Sequence, residues 1–234
     1  MFIFLAASGC ASGPKDELGP ELRSLLGIDD TLSEPPSEDL EKTFDANTLI
    51  KRAEHYYSKE EYVSAIGEYQ RFLDLHPIHR LAPLARFRIA LCYYHQIRTI
   101  DRDIEPVQKS LAVFENIVAE APQSLYAQRS APYIVELKER LAKREYYIGA
   151  FYYKKEAYPA AIARLDNLIK SYPNASSVPD ALFYLGDSFH KTGQPEKARE
   201  YFTRLLEKNP DSPYRIRILQ DYPGLAAVSL PTAR

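Results

Sequence analysis

Apolar side chains recur every three or four residues along most of the chain beyond residue 46, which is the spacing of one face of an α-helix. Within this pattern, six positions recur three times with identical steps of 3, 9, 4, 3 and 5 residues. The three sets are Ala53, Tyr56, Ala65, Tyr69, Phe72 and Pro77; Gly149, Tyr152, Ala161, Leu165, Leu168 and Pro173; and Gly186, Phe189, Ala198, Phe202, Leu205 and Pro210.

Each position in this signature has a structural meaning. The first small residue lets two helices approach closely, and the aromatic residue one turn later fills the space beside it. The second small residue lies on the antiparallel partner helix, which the proline ends. This is the tetratricopeptide (TPR) pattern, so the sequence predicts an all-α fold: a TPR solenoid of antiparallel helix pairs.

A fourth unit carries the same signature with a longer turn. Ala90 and Tyr93 are followed by Ser110, Phe114, Ile117 and Pro122, so that the second step is 17 residues rather than 9. The inserted residues fall in a turn over 97–106. A turn of this length is either a tolerated surface insertion or a binding loop, and the residues alone leave both readings open.

One long connecting helix is predicted between the repeats. Apolar residues keep helical spacing from Leu125 to beyond Leu141, Ser124 is a suitable N-cap, and only Pro132 introduces a possible kink before Lys154. A helix of that length approaches ~45 Å. We therefore divide the folded part into an N-terminal TPR pair over 46–123 and a C-terminal part over 124–220, which ends in a capping helix. Residues 221–234 are expected to form a flexible tail.

The first 45 residues have a different character. Residues 1–10 are an apolar run ending in Ala7-Ser8-Gly9-Cys10, which looks like a bacterial lipobox with Cys10 as the lipidation site; an ordinary hydrophobic tail is the alternative. In such lipoproteins Ala11 after the cysteine implies the outer membrane. Residues 11–45 hold ten acidic and three basic side chains and four prolines, so they predict an acidic tether of charge −7.

The phase of the repeat also predicts a binding surface. Residues three before, one after and four after the first small residue lie on a separate stripe of each first helix, facing the concave side, and aromatic rings dominate it. Together with nearby lysines, the stripe suits a peptide that ends in an aromatic side chain and a carboxylate. Packing between adjacent repeats is the alternative for each single ring. The predicted peptide-groove residues are Tyr57, Phe87, Leu91, Tyr94, Tyr146, Tyr153 and Phe183.

Composition excludes several other functions. The net charge of −2 gives no basic footprint for nucleic acid. The five histidines are scattered, and the closest pair, His76 and His79, reads as a turn rather than a metal site. With 9 glycines there is neither a phosphate-binding loop nor a nucleophile elbow. We expect no catalytic residue, no metal and no cofactor, and hence a protein that is not an enzyme.

Several segments beyond the TPR signature resemble one family. They are the Asp101-Arg102-Asp103 turn, the helix from Glu136 to Tyr146, and Tyr152-Tyr153 followed by Tyr158 and Arg164. Combined with the lipobox, they make the chain similar, over about 46–210, to the BamD family of TPR lipoproteins in the machinery that assembles outer-membrane β-barrels. Some members of this family are known as competence lipoproteins.

The resemblance implies partners and a location. It implies lipid attachment at the periplasmic face of the outer membrane, and binding to a barrel-forming subunit with POTRA domains, to other assembly-machine lipoproteins and to unfolded β-barrel precursors. Arg164 matches a family arginine on the surface that docks the barrel subunit, and Asp101, Arg102 and Asp103 match the family turn. The alternative is a TPR scaffold lipoprotein of another envelope machine, such as pilus secretin assembly or the Tol-Pal system.

Overall fold

The computed structural model describes residues 44–99 and 104–229, and every regular element within these ranges is a helix. The all-α prediction is confirmed. The chain divides into two compact units, one ending at His79 and the other starting at Arg80. The grouping of the first two repeats into a pair over 46–123 stays a prediction. Cys10 and nearly all of the acidic tether lie outside the described residues.

From residue 44 onward, the first unit contains one helix pair, α1 (Ala46–Ser58) and α2 (Tyr62–Leu75). The side chain of Asp45 caps α1 by accepting hydrogen bonds from the backbone N–H groups of Asn47 and Thr48. Four signature residues form the centre of the pair and are fully buried. They are Ala53, Ala65, Tyr69 and Phe72.

The second unit continues the alternation with longer helices. It consists of α3 (Ala82–His95), α4 (Glu105–Glu120), α5 (Leu125–Lys154), α6 (Tyr158–Ser171), α7 (Val178–Lys191), α8 (Pro195–Lys208), α9 (Arg215–Asp221) and a 3₁₀ segment (Pro223–Ser229). Each helix from α3 to α7 packs against the next one in the chain. The single helix predicted after Ser124 is present, with the Ser124 hydroxyl capping it at 3.0 Å from the Ala127 N–H, and it runs unbroken through Pro132.

Small residues in this unit allow the helix contacts that the signature predicts. A Cβ on Gly186 would lie 2.6 Å from Cε1 of Phe202, so only glycine lets α7 and α8 approach this closely. In the unit with the long turn, the Ser110 hydroxyl donates to the Ala90 carbonyl at 3.0 Å across α3 and α4. That bond joins the two small residues of the variant repeat.

Three hairpin turns share one backbone conformation. Glu60, Glu156 and Gly193 each follow the first small residue of their repeat by seven positions, and their φ angles are 60°, 59° and 73°. Only the last of these left-handed positions carries the glycine that such a φ favours. The equal spacing shows that the turn geometry, as well as the helix contact, repeats along the chain.

Candidate peptide-binding and docking surfaces

Two of the predicted groove residues, Tyr146 and Tyr153, share one aromatic neighbour on the next repeat. Both are half-buried on α5, and the ring of Tyr184 from α7 packs against them, with its centroid 6.2 Å from Tyr146 and 4.8 Å from Tyr153. Tyr214, at the start of α9, adds a fourth ring 6.3 Å from Tyr184. We call these four residues the tyrosine cluster.

Two carboxylates hold the tyrosine cluster in place. Asp187, buried on α7, accepts a hydrogen bond from the Tyr153 hydroxyl and lies 3.3 Å from the Arg217 guanidinium. Asp180 accepts a hydrogen bond of 2.7 Å from the Tyr214 hydroxyl. Because these hydroxyls are already bonded internally, the surface offers ring faces and edges to a ligand rather than free donors.

The environment also raises the pKa of three tyrosines of the cluster. Burial, with a contribution from the nearby Asp180 carboxylate, raises the pKa of Tyr146 to about 12. Burial and the hydrogen bond to Asp187 raise the pKa of Tyr153 to about 12, and burial with the bond to Asp180 raises the pKa of Tyr214 further. The hydroxyls of Tyr146, Tyr153 and Tyr214 therefore stay protonated to a higher pH than a tyrosine in water.

Three predicted groove residues are corrected by their burial. Phe87, Leu91 and Phe183 are 7%, 0% and 1% exposed, so they belong to the core and not to a groove wall. Phe87 packs edge-on against Phe114, with ring centroids 5.7 Å apart. Tyr214 stacks on Phe183 at 3.9 Å, so α9 covers the ring that the sequence placed in the groove.

The remaining two groove residues are half-buried but do not join the tyrosine cluster. Tyr94 on α3 donates a 2.8 Å hydrogen bond to Glu136 on α5, and its ring meets Tyr133 at 4.9 Å. Tyr57 belongs to the first unit, where its ring lies edge-on to Tyr62 at 5.9 Å. Their part in peptide binding stays a prediction.

The predicted docking residue Arg164 lies on the exposed side of α6. Its guanidinium lies 3.4 Å from Glu145, and that same carboxylate lies 3.2 Å from Arg144. Glu145 is buried, whereas the Arg164 side chain is 47% exposed. One carboxylate thus holds two guanidinium groups, and Arg164 keeps donors directed to solvent. The other predicted docking residues, Asp101, Arg102 and Asp103, lie outside the described residues.

Sequence reasoning missed Tyr184, Tyr214 and Arg217. Tyr184 precedes Gly186 by two positions, which is outside the stripe used for the prediction. Tyr214 and Arg217 belong to the segment read as a cap, and they reach the cluster because α9 folds back onto α7. In the described ranges, no group of three or more His, Cys, Asp or Glu side chains is arranged to hold a metal ion. None of the described helices is both long and apolar enough to cross a membrane.

Helix pairs with small-residue crossings and aromatic contacts between neighbouring repeats define a TPR-type helical fold. The chain belongs to the YfiO family of outer membrane lipoproteins, whose sequence profile matches residues 46–205. The resemblance to the BamD family is confirmed by relatives named outer membrane protein assembly factor BamD.

Three of these relatives show how far the similarity extends. The Caulobacter vibrioides protein is 32% identical over 62% of this chain and 47% of its own length. The Rickettsia prowazekii protein is 28% identical over 74% of this chain and 70% of its own, and the Neisseria meningitidis serogroup A protein is 29% identical over 68% and 63%. The chain therefore spans about half of the first relative and about two thirds of the others.

A solved structure, the MamA protein, aligns with 82% of this chain at 14% identity and a TM-score of 0.28.

Proposed function

We propose that this protein is a non-enzymatic scaffold in the assembly of β-barrel proteins in the outer membrane. The family match over 46–205 carries the proposal, since the relatives are named as assembly factors for outer membrane proteins. Their names favour this role over pilus secretin assembly or the Tol-Pal system.

In this proposal the tyrosine cluster and the surface around Arg164 bind different partners. The tyrosine cluster binds unfolded β-barrel precursors, whose aromatic side chains pack on its ring faces. Arg164, held by Glu145 but half-exposed, docks the barrel-forming subunit with POTRA domains through a carboxylate of that subunit. Cys10 carries the lipid that attaches the chain to the periplasmic face of the outer membrane, next to other lipoproteins of the machine.

Co-purification from native outer membranes tests the proposal. The full chain, solubilised in mild detergent and captured by a C-terminal tag, is expected to bring down a barrel protein with POTRA domains, identified by mass spectrometry. The Arg164→Glu variant is expected to recover at least tenfold less of it, while Lys208→Glu, a charge reversal on the exposed side of α8, recovers the wild-type amount. Repeated recovery of secretin or Tol-Pal components instead would contradict the proposal.

A further inference from the structure

The outer face of α5 carries two large exposed aromatic side chains near its C-terminal end. Tyr147 is 62% exposed and Phe151 is 56% exposed, and they are four residues apart, so they lie one above the other on the helix. With Arg144, Ile148 and Tyr152 they line a shallow hollow of about 300 Å³. Neither ring belongs to the tyrosine cluster, and a solvated helix face gives no reason for two adjacent exposed rings.

The equivalent positions in the next repeat indicate that this face packs against other helices. Counted from the first small residue of each repeat, Arg144, Tyr147, Ile148 and Phe151 correspond to Ala181, Tyr184, Leu185 and Ser188 of α7. In α7, the side chains of Ala181, Leu185 and Ser188 are fully buried, and the Tyr184 ring packs on α5. Both helices of the preceding repeat, α5 and α6, contact α7. The same positions in α5 are thus a helix-packing face, and here their aromatic side chains are more than half exposed to solvent.

The positive charge beside the hollow favours a partner with carboxylates. Arg144 and Arg164 both lie on the single Glu145 carboxylate, so this trio carries one excess positive charge and has donors to spare. The Lys155 ammonium lies 5.9 Å from the centre of the Phe151 ring and adds a second cation at the far end. An occupant with an apolar side chain flanked by carboxylates complements this surface.

We propose that the outer face of α5 binds an amphipathic α-helix of a partner protein, with an apolar side chain in the hollow of Tyr147 and Phe151 and a carboxylate on Arg144 and Arg164. The partner helix takes the place that the preceding repeat, α5 and α6, occupies on α7. This inference rests on the proposed function in one respect, because it extends the docking surface at Arg164 from a single charge to a helix-binding site.

Site-specific photo-cross-linking tests the inference. The full chain is expressed in the bacterium it comes from, with p-benzoylphenylalanine in place of Tyr147. In the matched control, p-benzoylphenylalanine replaces Val135 of the same helix, a side chain that is 69% exposed. We expect a cross-linked protein from position 147 at a yield at least ten times that from position 135. Mass spectrometry should map the cross-link to a helical segment with Asp or Glu within four residues of the acceptor.

The effect of a charge reversal at Arg144 on the cross-linking yield is the second measurement. With the photo-reactive residue at 147, Arg144→Glu should lower the yield at least tenfold, and Lys208→Glu should leave it unchanged; circular dichroism verifies that both variants keep their helix content. Equal yields at 147 and 135, insensitivity to Arg144→Glu, or cross-links solely to lipid, to a second copy or to this chain itself would overturn the inference.

The two proposals fail in different ways. If the chain recovers a barrel protein with POTRA domains but position 147 cross-links to no partner helix, the helix-binding site is wrong and the proposed function stands. If position 147 captures an acidic amphipathic helix but co-purification recovers secretin or Tol-Pal components instead of a barrel protein with POTRA domains, the site stands and the proposed function is wrong.

Discussion

Asp187 is the residue on which the tyrosine cluster depends most directly. Its buried carboxylate accepts hydrogen bonds from the Tyr153 hydroxyl and the Arg217 guanidinium. The Arg217 guanidinium also lies 5.0 Å from the centre of the Phe183 ring. Asp187→Ala leaves both donors without their acceptor, so we expect it to lower the free energy of unfolding by about 1–3 kcal/mol. Urea unfolding followed by circular dichroism measures the change.

The control for this prediction is Glu207→Ala, which removes an exposed carboxylate from α8 and should change the stability by no more than about 0.5 kcal/mol. An equal effect of both substitutions would show that Asp187 has no special role.

The raised pKa values of Tyr146 and Tyr153 predict a loss of stability in alkali. Both pKa values are about 12 in the folded protein, against about 10 for an unfolded tyrosine. Between pH 10 and pH 12 the unfolded chain therefore binds fewer protons than the folded one, and the free energy of unfolding falls as pH rises. Below pH 10 these two groups contribute no pH dependence.

Absorbance at 295 nm across this pH range measures the ionisation. Tyrosines in a late phase near pH 12 are expected, and Tyr153→Phe should remove one of them. Titration of every tyrosine in a single step near pH 10 would contradict the arrangement of the cluster.

At the scale of the helix pair, the left-handed turn positions offer a test of the repeat geometry. Glu156 adopts a φ of 59° where the equivalent residue of the last hairpin is Gly193. A side chain in this conformation costs about 1–2 kcal/mol, which exceeds the extra entropy that glycine loses on folding. Glu156→Gly should therefore stabilise the protein by about 0.5–1 kcal/mol in thermal or urea unfolding.

Glu200→Gly is the opposite control, because it places glycine in the middle of α8 at an exposed position and should destabilise the protein by about 1 kcal/mol. Destabilisation by Glu156→Gly would show that the turn does not hold Glu156 in the left-handed region.

The helix pairs were predictable because the signature encodes local packing. The small residues Ala65, Ala161 and Ala198 are fully buried, and Ser110 takes the same place in the repeat with the long turn. The length of α5 followed from its cap at Ser124 and from an apolar spacing that Pro132 does not interrupt.

The binding surface was less predictable because it depends on which helix covers which stripe. Phe183 shares the phase of Tyr146, yet Tyr214, some thirty residues later, stacks on it. Phe151 shares the phase of the buried Ser188 of α7, yet it is 56% exposed. The repeat fixes the direction of each side chain, whereas burial depends on where the neighbouring helices begin and end.

For the whole molecule, the proposed division of labour joins a precursor-binding surface and a docking surface within the second unit. The tyrosine cluster lies on α5, α7 and α9, whereas Arg164 lies on α6 and the exposed rings lie on the outer face of α5. Because different helices and helix faces carry them, the proposal predicts that binding of a precursor does not displace the barrel subunit.

The most direct test of this account is the amount of folded β-barrel protein in the outer membrane after the chain is depleted. Heat-modifiable migration on gels distinguishes folded from unfolded barrels, and quantitative mass spectrometry of outer-membrane fractions measures their amount. We predict that folded barrels fall severalfold on depletion, and that wild type and Lys208→Glu restore them while Arg164→Glu does not. Unchanged levels of folded barrels in fully depleted cells would contradict a role in their assembly.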